Sequence, residues 1–286
     1  MPSSVFKIVR LRRLVGLTVV LLTGCGTAVS AQAPAYQPPS PTATVRRPGG
    51  PAGPGVTPGP AATPGRAASP GPAGRRPAPR PPARITYPAA GRGRFAVAPA
   101  ETAAPAGRAG RTLRYRIEVE TDITGVTAGE FAAAATATLR DPHGWTADGE
   151  WRLRRVGRGD PADFTVRLVT PGTRDRLCHA RDGYTSCRNG DEVVVNVARW
   201  VKGVPRYGAS LAVYRQYLIN HEVGHRLGQA HELCPRSGGP APVMQQQTLG
   251  LHGCTANAWP FRNGKRLRGR VGAYRDDVPE RDRGSS

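Results

Sequence analysis

Three histidines and two glutamates fall within the twelve residues 221–232, HEVGHRLGQAHE. On a helix, His221 and His225 stand one turn apart and can direct two imidazole nitrogens at one metal ion. Glu222 lies on the adjacent face, close enough for its carboxylate to take a proton from water at that metal. His231 reaches the same point if the chain turns back at Gly228. Three neutral nitrogen ligands with a fourth position left open are the arrangement of catalytic rather than structural zinc. Five fixed residues at HExxHxxGxxH spacing are far more specific than HExxH alone. The expected site is therefore Zn2+ held by His221, His225 and His231, with Glu222 as general base.

The helix that must carry the first two histidines is legible. Ser210 suits an N-cap, and Leu211, Tyr214, Leu218, His221 and His225 follow at spacings of three, four, three and four, so they share one face. Gly228 suits the left-handed residue that closes a helix. Upstream, Leu113, Tyr115, Ile117 and Val119 alternate with Arg114, Arg116, Glu118 and Glu120, the pattern of a half-buried strand. Thr127 and Glu130 fit a capping box ahead of an alanine-rich helix over Phe131–Leu139. Trp151–Val156, Phe164–Val169 and Val193–Val197 read as strands, the last of them buried. The order is strand, helix, strands, helix, an α+β domain.

The run from His221 to His231 resembles the zinc motif of the metzincin peptidases. That resemblance covers residues 111–261. It implies a zincin domain with a twisted mixed sheet, a backing helix, an active-site helix and a methionine turn beneath the metal. Met244, thirteen residues after His231 and alone apart from Met1, is the candidate for that turn. The stretch from Tyr214 to Gln247 also looks like an actinobacterial family of uncharacterised metzincin-like surface domains. Some metzincins carry a tyrosine two residues after the methionine, which binds zinc or stabilises the oxyanion; here that position is Gln246. Tyr207 and Arg174 are substitutes for such a donor. Glu232 occupies a position whose identity separates metzincin subfamilies, or it is a solvated loop carboxylate.

Four cysteines remain beyond Cys25, an even number that suits two disulfides in an exported chain. Of three connectivities, chain proximity favours Cys178–Cys187 with Cys234–Cys254. The first would clamp a hairpin near the edge strand on which metzincins pair extended substrates; the second would tie the His231 loop to the segment after Met244. A cysteine-zinc site is the competing reading, weakened by the absence of any CxxC pair. His143, His179 and His252 read as surface residues.

Residues 1–30 look like an export signal, with Lys7, Arg10, Arg12 and Arg13 before the apolar Leu14–Leu22. Leu22-Thr23-Gly24-Cys25 resembles a lipobox, implying lipidation at Cys25 and a membrane-anchored lipoprotein; cleavage after Ala31 or Ala33 would give a secreted protein instead. Residues 31–110, rich in Pro, Ala, Gly and Arg, read as a disordered stalk, and 262–286 as a basic tail. The net charge of +21 is mostly arginine and concentrates before residue 111. A GC-rich coding sequence is the favoured explanation, because no nucleic-acid-binding module accompanies the charge; attraction to anionic cell-envelope polymers or membrane surfaces is the alternative. The function expected is an exported zinc metallopeptidase acting on peptides or proteins. A non-catalytic zinc module binding the envelope is the alternative, with hydrolysis of another envelope amide as a third.

Overall fold

The computed structural model describes residues 83–285. The signal segment, Cys25 and the stalk as far as residue 82 lie outside the described residues. Two short strands come first, β1 (Tyr87–Pro88) and β2 (Phe95–Val97), followed by the ten-residue β3 (Arg111–Glu120). β2 runs antiparallel to the end of β3, with Phe95 opposite Glu120 and Val97 opposite Glu118. The stalk boundary expected at residue 110 is therefore corrected: residues 83–110 are part of the domain. Tyr87, Ala98 and Ala106 are buried, but the residues that bury them come later in the chain, so no local periodicity announces them.

The half-buried reading of β3 holds for its first half only. Glu118 and Glu120, expected on a polar face, are both buried. Glu118 pairs with Arg167 at 2.8 Å. Glu120 accepts hydrogen bonds from Gly93 N, Thr170 N and the hydroxyls of Thr170 and Thr173, at 2.6–2.9 Å. Buried carboxylates need such partners because the desolvation cost is otherwise prohibitive.

Helix α1 (Ala128–Arg140) follows, and its capping box forms: Glu130 N donates to Thr127 Oγ1 while Thr127 N donates to Glu130 Oε2. Then come β4 (Trp151–Val156), β5 (Phe164–Val169), α2 (Pro171–Cys178), β6 (Cys187–Asn189), β7 (Glu192–Asn196), α3 (Val197–Lys202) and α4 (Leu211–Arg226). β7 stops one residue short of the expected Val197 because the Asn196 side chain accepts from Ala198 N and opens α3. The main sheet is mixed, in the order β2-β3-β5-β7-β6 with β4 also beside β3. β3, β4, β5 and β7 are parallel; β2 and β6 are antiparallel to their neighbours. Ile117, Val166 and Val193 align across the three central strands, and Phe131, Trp200, Tyr214, Tyr217 and Leu218 fill the core between this sheet and the helices. α4 packs against β7, β6 and α1, which fixes the helix beside the β6 edge.

The end of the chain is also part of the domain, which corrects the tail expected over 262–286. β8 (Phe261–Arg262) and β9 (Lys265–Arg266) form a hairpin, and β10 (Gly284–Ser285) pairs with β1. Asp282 is clasped by Lys202 at 2.7 Å, Arg199 at 3.5 Å and the Tyr87 hydroxyl at 3.2 Å. Among the described residues no helix is long and apolar enough to cross a membrane.

Candidate metal centre

Helix α4 delivers two of the three histidines as its spacing requires. Ser210 caps it by accepting from Val213 N. At the other end Gly228 takes φ +87°, Gly228 N bonds the His225 carbonyl and Gln229 N bonds the Gly224 carbonyl. That pair of bonds is a Schellman closure. The closure reverses the chain and places the Gln229 carbonyl over the His225 ring, where it accepts from Nδ1 at 2.8 Å. His221 is fixed in the same way, its Nδ1 donating to the Val243 carbonyl at 2.8 Å. A carbonyl can only accept, so each of these rings carries its proton on Nδ1 and leaves Nε2 bare.

His221, His225 and His231 come together with ligand nitrogens all within 4.8 Å of one another. Nε2 of His225 and Nε2 of His231 are 3.0 Å apart. With the first bare, that approach is either a hydrogen bond from His231 or two lone pairs facing a common cation. Tetrahedral coordination at about 2.0–2.1 Å would set such nitrogens about 3.3 Å apart, so the donor set fits a zinc-sized ion with small adjustments. Burial keeps all three imidazoles neutral by lowering their pKa values, that of His231 to about 4 with a further push from His225. Neutral rings offer their lone pairs at neutral pH.

Glu222 shares the cleft and is itself buried. Burial raises its pKa to about 8, against the opposing charges of Arg174 and Arg188; a dication held by the three imidazoles would act in the same direction as those arginines. Met244 is fully buried beneath α4 at Gly224. The loop around it is bonded to the histidine segments on both sides, through Val243 to His221 and through Met244 O to Glu232 N at 3.1 Å. Both disulfides form as chain proximity suggests, Cys178–Cys187 and Cys234–Cys254.

Residues 81–259 match the model of a family described as a protein of unknown function, DUF3152. The chain belongs to the DUF3152 family. No curated protein and no solved structure matches it. The DUF3152 match takes in the three histidines, Glu222, Met244 and all four paired cysteines. It begins at residue 81, in agreement with a domain that starts well before residue 111.

Other expectations are not met. Arg174 is buried but spent on Asp182, Asp175 and the carbonyls of Ala180 and Thr185. Tyr207 is buried with its hydroxyl on Gln247 Oε1 at 3.0 Å. Neither lines the cleft, so neither is a donor there. Glu232 is no solvated carboxylate: it is buried and takes Gly269 N at 3.1 Å and Arg266 at 3.4 Å. Together with Gly272 N, which donates to the His231 carbonyl at 3.0 Å, it ties the third histidine's loop to the chain end. His143, His179 and His252 are exposed, as read.

The cleft, of about 360 Å3, is completed by Thr185, Ser186, Cys187 and Arg188 on one side and Gln246, Thr248 and Leu249 on the other. None of these except Gln246 carries a sequence signal beyond its neighbourhood to a paired cysteine or to Met244. Gln246 does line the cleft, and its Oε1 is buried without a hydrogen-bond partner among the described residues. Gln245 and Gln247 point elsewhere, holding the loop through the carbonyls of Gly250, Leu251, Pro242 and Asn257.

Proposed function

We propose that this domain is an exported zinc-dependent peptidase with a metzincin-like zincin fold. The observation that carries the reading is the arrangement of three neutral imidazoles, two of them locked by backbone carbonyls with Nε2 bare, beside a buried carboxylate in one open cleft. A purely structural metal site has no use for Glu222. The lone buried methionine beneath α4 and the mixed sheet with an antiparallel edge strand support the fold assignment.

Zinc held by His221, His225 and His231 would supply Lewis acidity toward a scissile carbonyl and toward water. The protein does the rest. Glu222 takes the proton from the attacking water and returns it to the leaving amine. Its burial keeps competing solvent away from that transfer. Val243 O and Gln229 O hold the imidazole rings in orientation, the usual second layer of a histidine metal site. β6, whose outer side pairs with no strand among the described residues, offers N–H and C=O groups to an extended chain. Export and anchoring through Cys25 complete the proposal and place the substrate outside the cell.

Metal removal tests this directly. The full chain as purified should contain about one zinc, cleave members of a diverse peptide library, lose cleavage with a chelator and regain it with added zinc. Cleavage that survives complete metal removal would overturn the proposal.

A further inference from the structure

Several arginines packed against the sheet and helices are matched with acids: Arg167 with Glu118 and Glu192, Arg174 with Asp175 and Asp182, Arg199 with Asp282, Arg226 with Asp191, Arg266 with Glu232; others, such as Arg155 and Arg215, bond a hydroxyl or a carbonyl away from the cleft. Arg188 is different. It stands in β6 on the cleft wall, exposed, with no ion pair and no side-chain hydrogen bond among the described residues. Apart from Glu222 and the three imidazoles it is the only ionisable side chain lining that cleft. It lines the same cleft as His221, Glu222, His225 and His231, so it faces the space where a substrate would lie.

A planar guanidinium with free N–H donors is the group best suited to hold a carboxylate through two parallel hydrogen bonds. An extended chain laid along β6 passes Arg188 on its way to the histidines. We propose that Arg188 binds a carboxylate of the substrate, so that the cleft selects peptides carrying an acidic side chain or a free C-terminus close to the scissile bond. This deepens the peptidase reading and rests on it. Charge-assisted bonds of this kind give discrimination of roughly 10- to 100-fold.

The test uses the zinc-loaded full chain and acetylated octapeptides of Ala and Leu. One set scans Glu against Gln along the peptide, and the other compares a free with an amidated C-terminus. KM and kcat are measured for cleavage, and binding by calorimetry. The wild type should prefer one Glu position, or the free terminus, by roughly 10- to 100-fold in kcat/KM, and which set shows the preference identifies the source of the carboxylate. Arg188→Ala should erase the difference through KM, and Arg188→Glu should turn the preference toward a Lys-bearing peptide. A wild type indifferent to the carboxylate, or an Arg188→Ala variant that slows acid and amide peptides alike, would overturn the proposal. If no peptide is cleaved, the peptidase reading has failed on its own account and calorimetry decides the role of Arg188. Tighter binding of the carboxylate peptides that is lost in Arg188→Ala supports it; equal or absent binding overturns it.

Discussion

Gly224 belongs to the site as firmly as the histidines on either side of it. A Cβ at that position would lie 2.4 Å from Met244 Sδ and 2.6 Å from a ring carbon of Trp145. The methionine is flexible, but the indole is rigid and its N–H is held by the Asn220 carbonyl at 2.8 Å. Alanine gains up to about 1 kcal/mol of helix propensity over glycine. Overpacking a close-packed interior costs about 1–3 kcal/mol. The second effect wins because both obstructing side chains are buried. Gly224→Ala is therefore expected to lower unfolding free energy by about 1 kcal/mol and to weaken metal binding, because Met244 sits between the residues that hold His221 and His231 in place. Urea titration and metal-affinity measurement check this, and a variant as stable as the wild type would show that the methionine is not locked there.

At the scale of elements, the chain end works as a strap. It runs from the His231 loop, where Leu233 N donates to Arg270 O at 2.8 Å, past His252 and Asp276, to Asp282 and the β1–β10 pair. Asp282 is its main fastening. Burial alone would raise this carboxyl's pKa, but the hydrogen bonds from Lys202 and Gly284 N outweigh burial and hold it below the usual value. A depressed folded pKa means stability that is present above the unfolded value of about 3.9 and is lost as pH falls through the folded one. Asp282→Asn should cost about 1–3 kcal/mol near neutral pH, since buried Arg199 loses its acid partner. The cost should begin to shrink below about pH 4 and vanish as pH falls through the depressed folded value, where the wild type also loses the charge. Urea midpoints measured from pH 2 to 7 read this out. A constant offset between variant and wild type at every pH would show that the ion pair contributes nothing.

Across the whole molecule, what the sequence disclosed is what local pattern encodes. α4, the capping box of α1, β4 and β5 follow from spacing of a few residues, and the histidine cluster follows from one helix and one glycine turn. The two disulfides follow from cysteine count and proximity. What stayed hidden depends on residues far apart in the chain. β2 is a strand because β3 receives it, Glu118 and Glu120 are buried because Arg167, Thr170 and Thr173 come to meet them, and the basic C-terminal stretch folds because Lys202 and Arg199 attract Asp282. α2 was hidden because its face carries little apolar pattern, and the cleft wall because no spacing links Thr185–Arg188 to Gln246–Leu249. The chemistry assigned to this fold stands on Glu222, and one substitution isolates it. Glu222→Gln keeps the side chain's size and shape but removes the base, leaving the three histidines untouched. The account predicts a folded, fully zinc-loaded chain whose peptide hydrolysis falls by about 10²–10⁴-fold, the usual loss with a general base. Undiminished hydrolysis in zinc-loaded Glu222→Gln protein free of other proteases would contradict it.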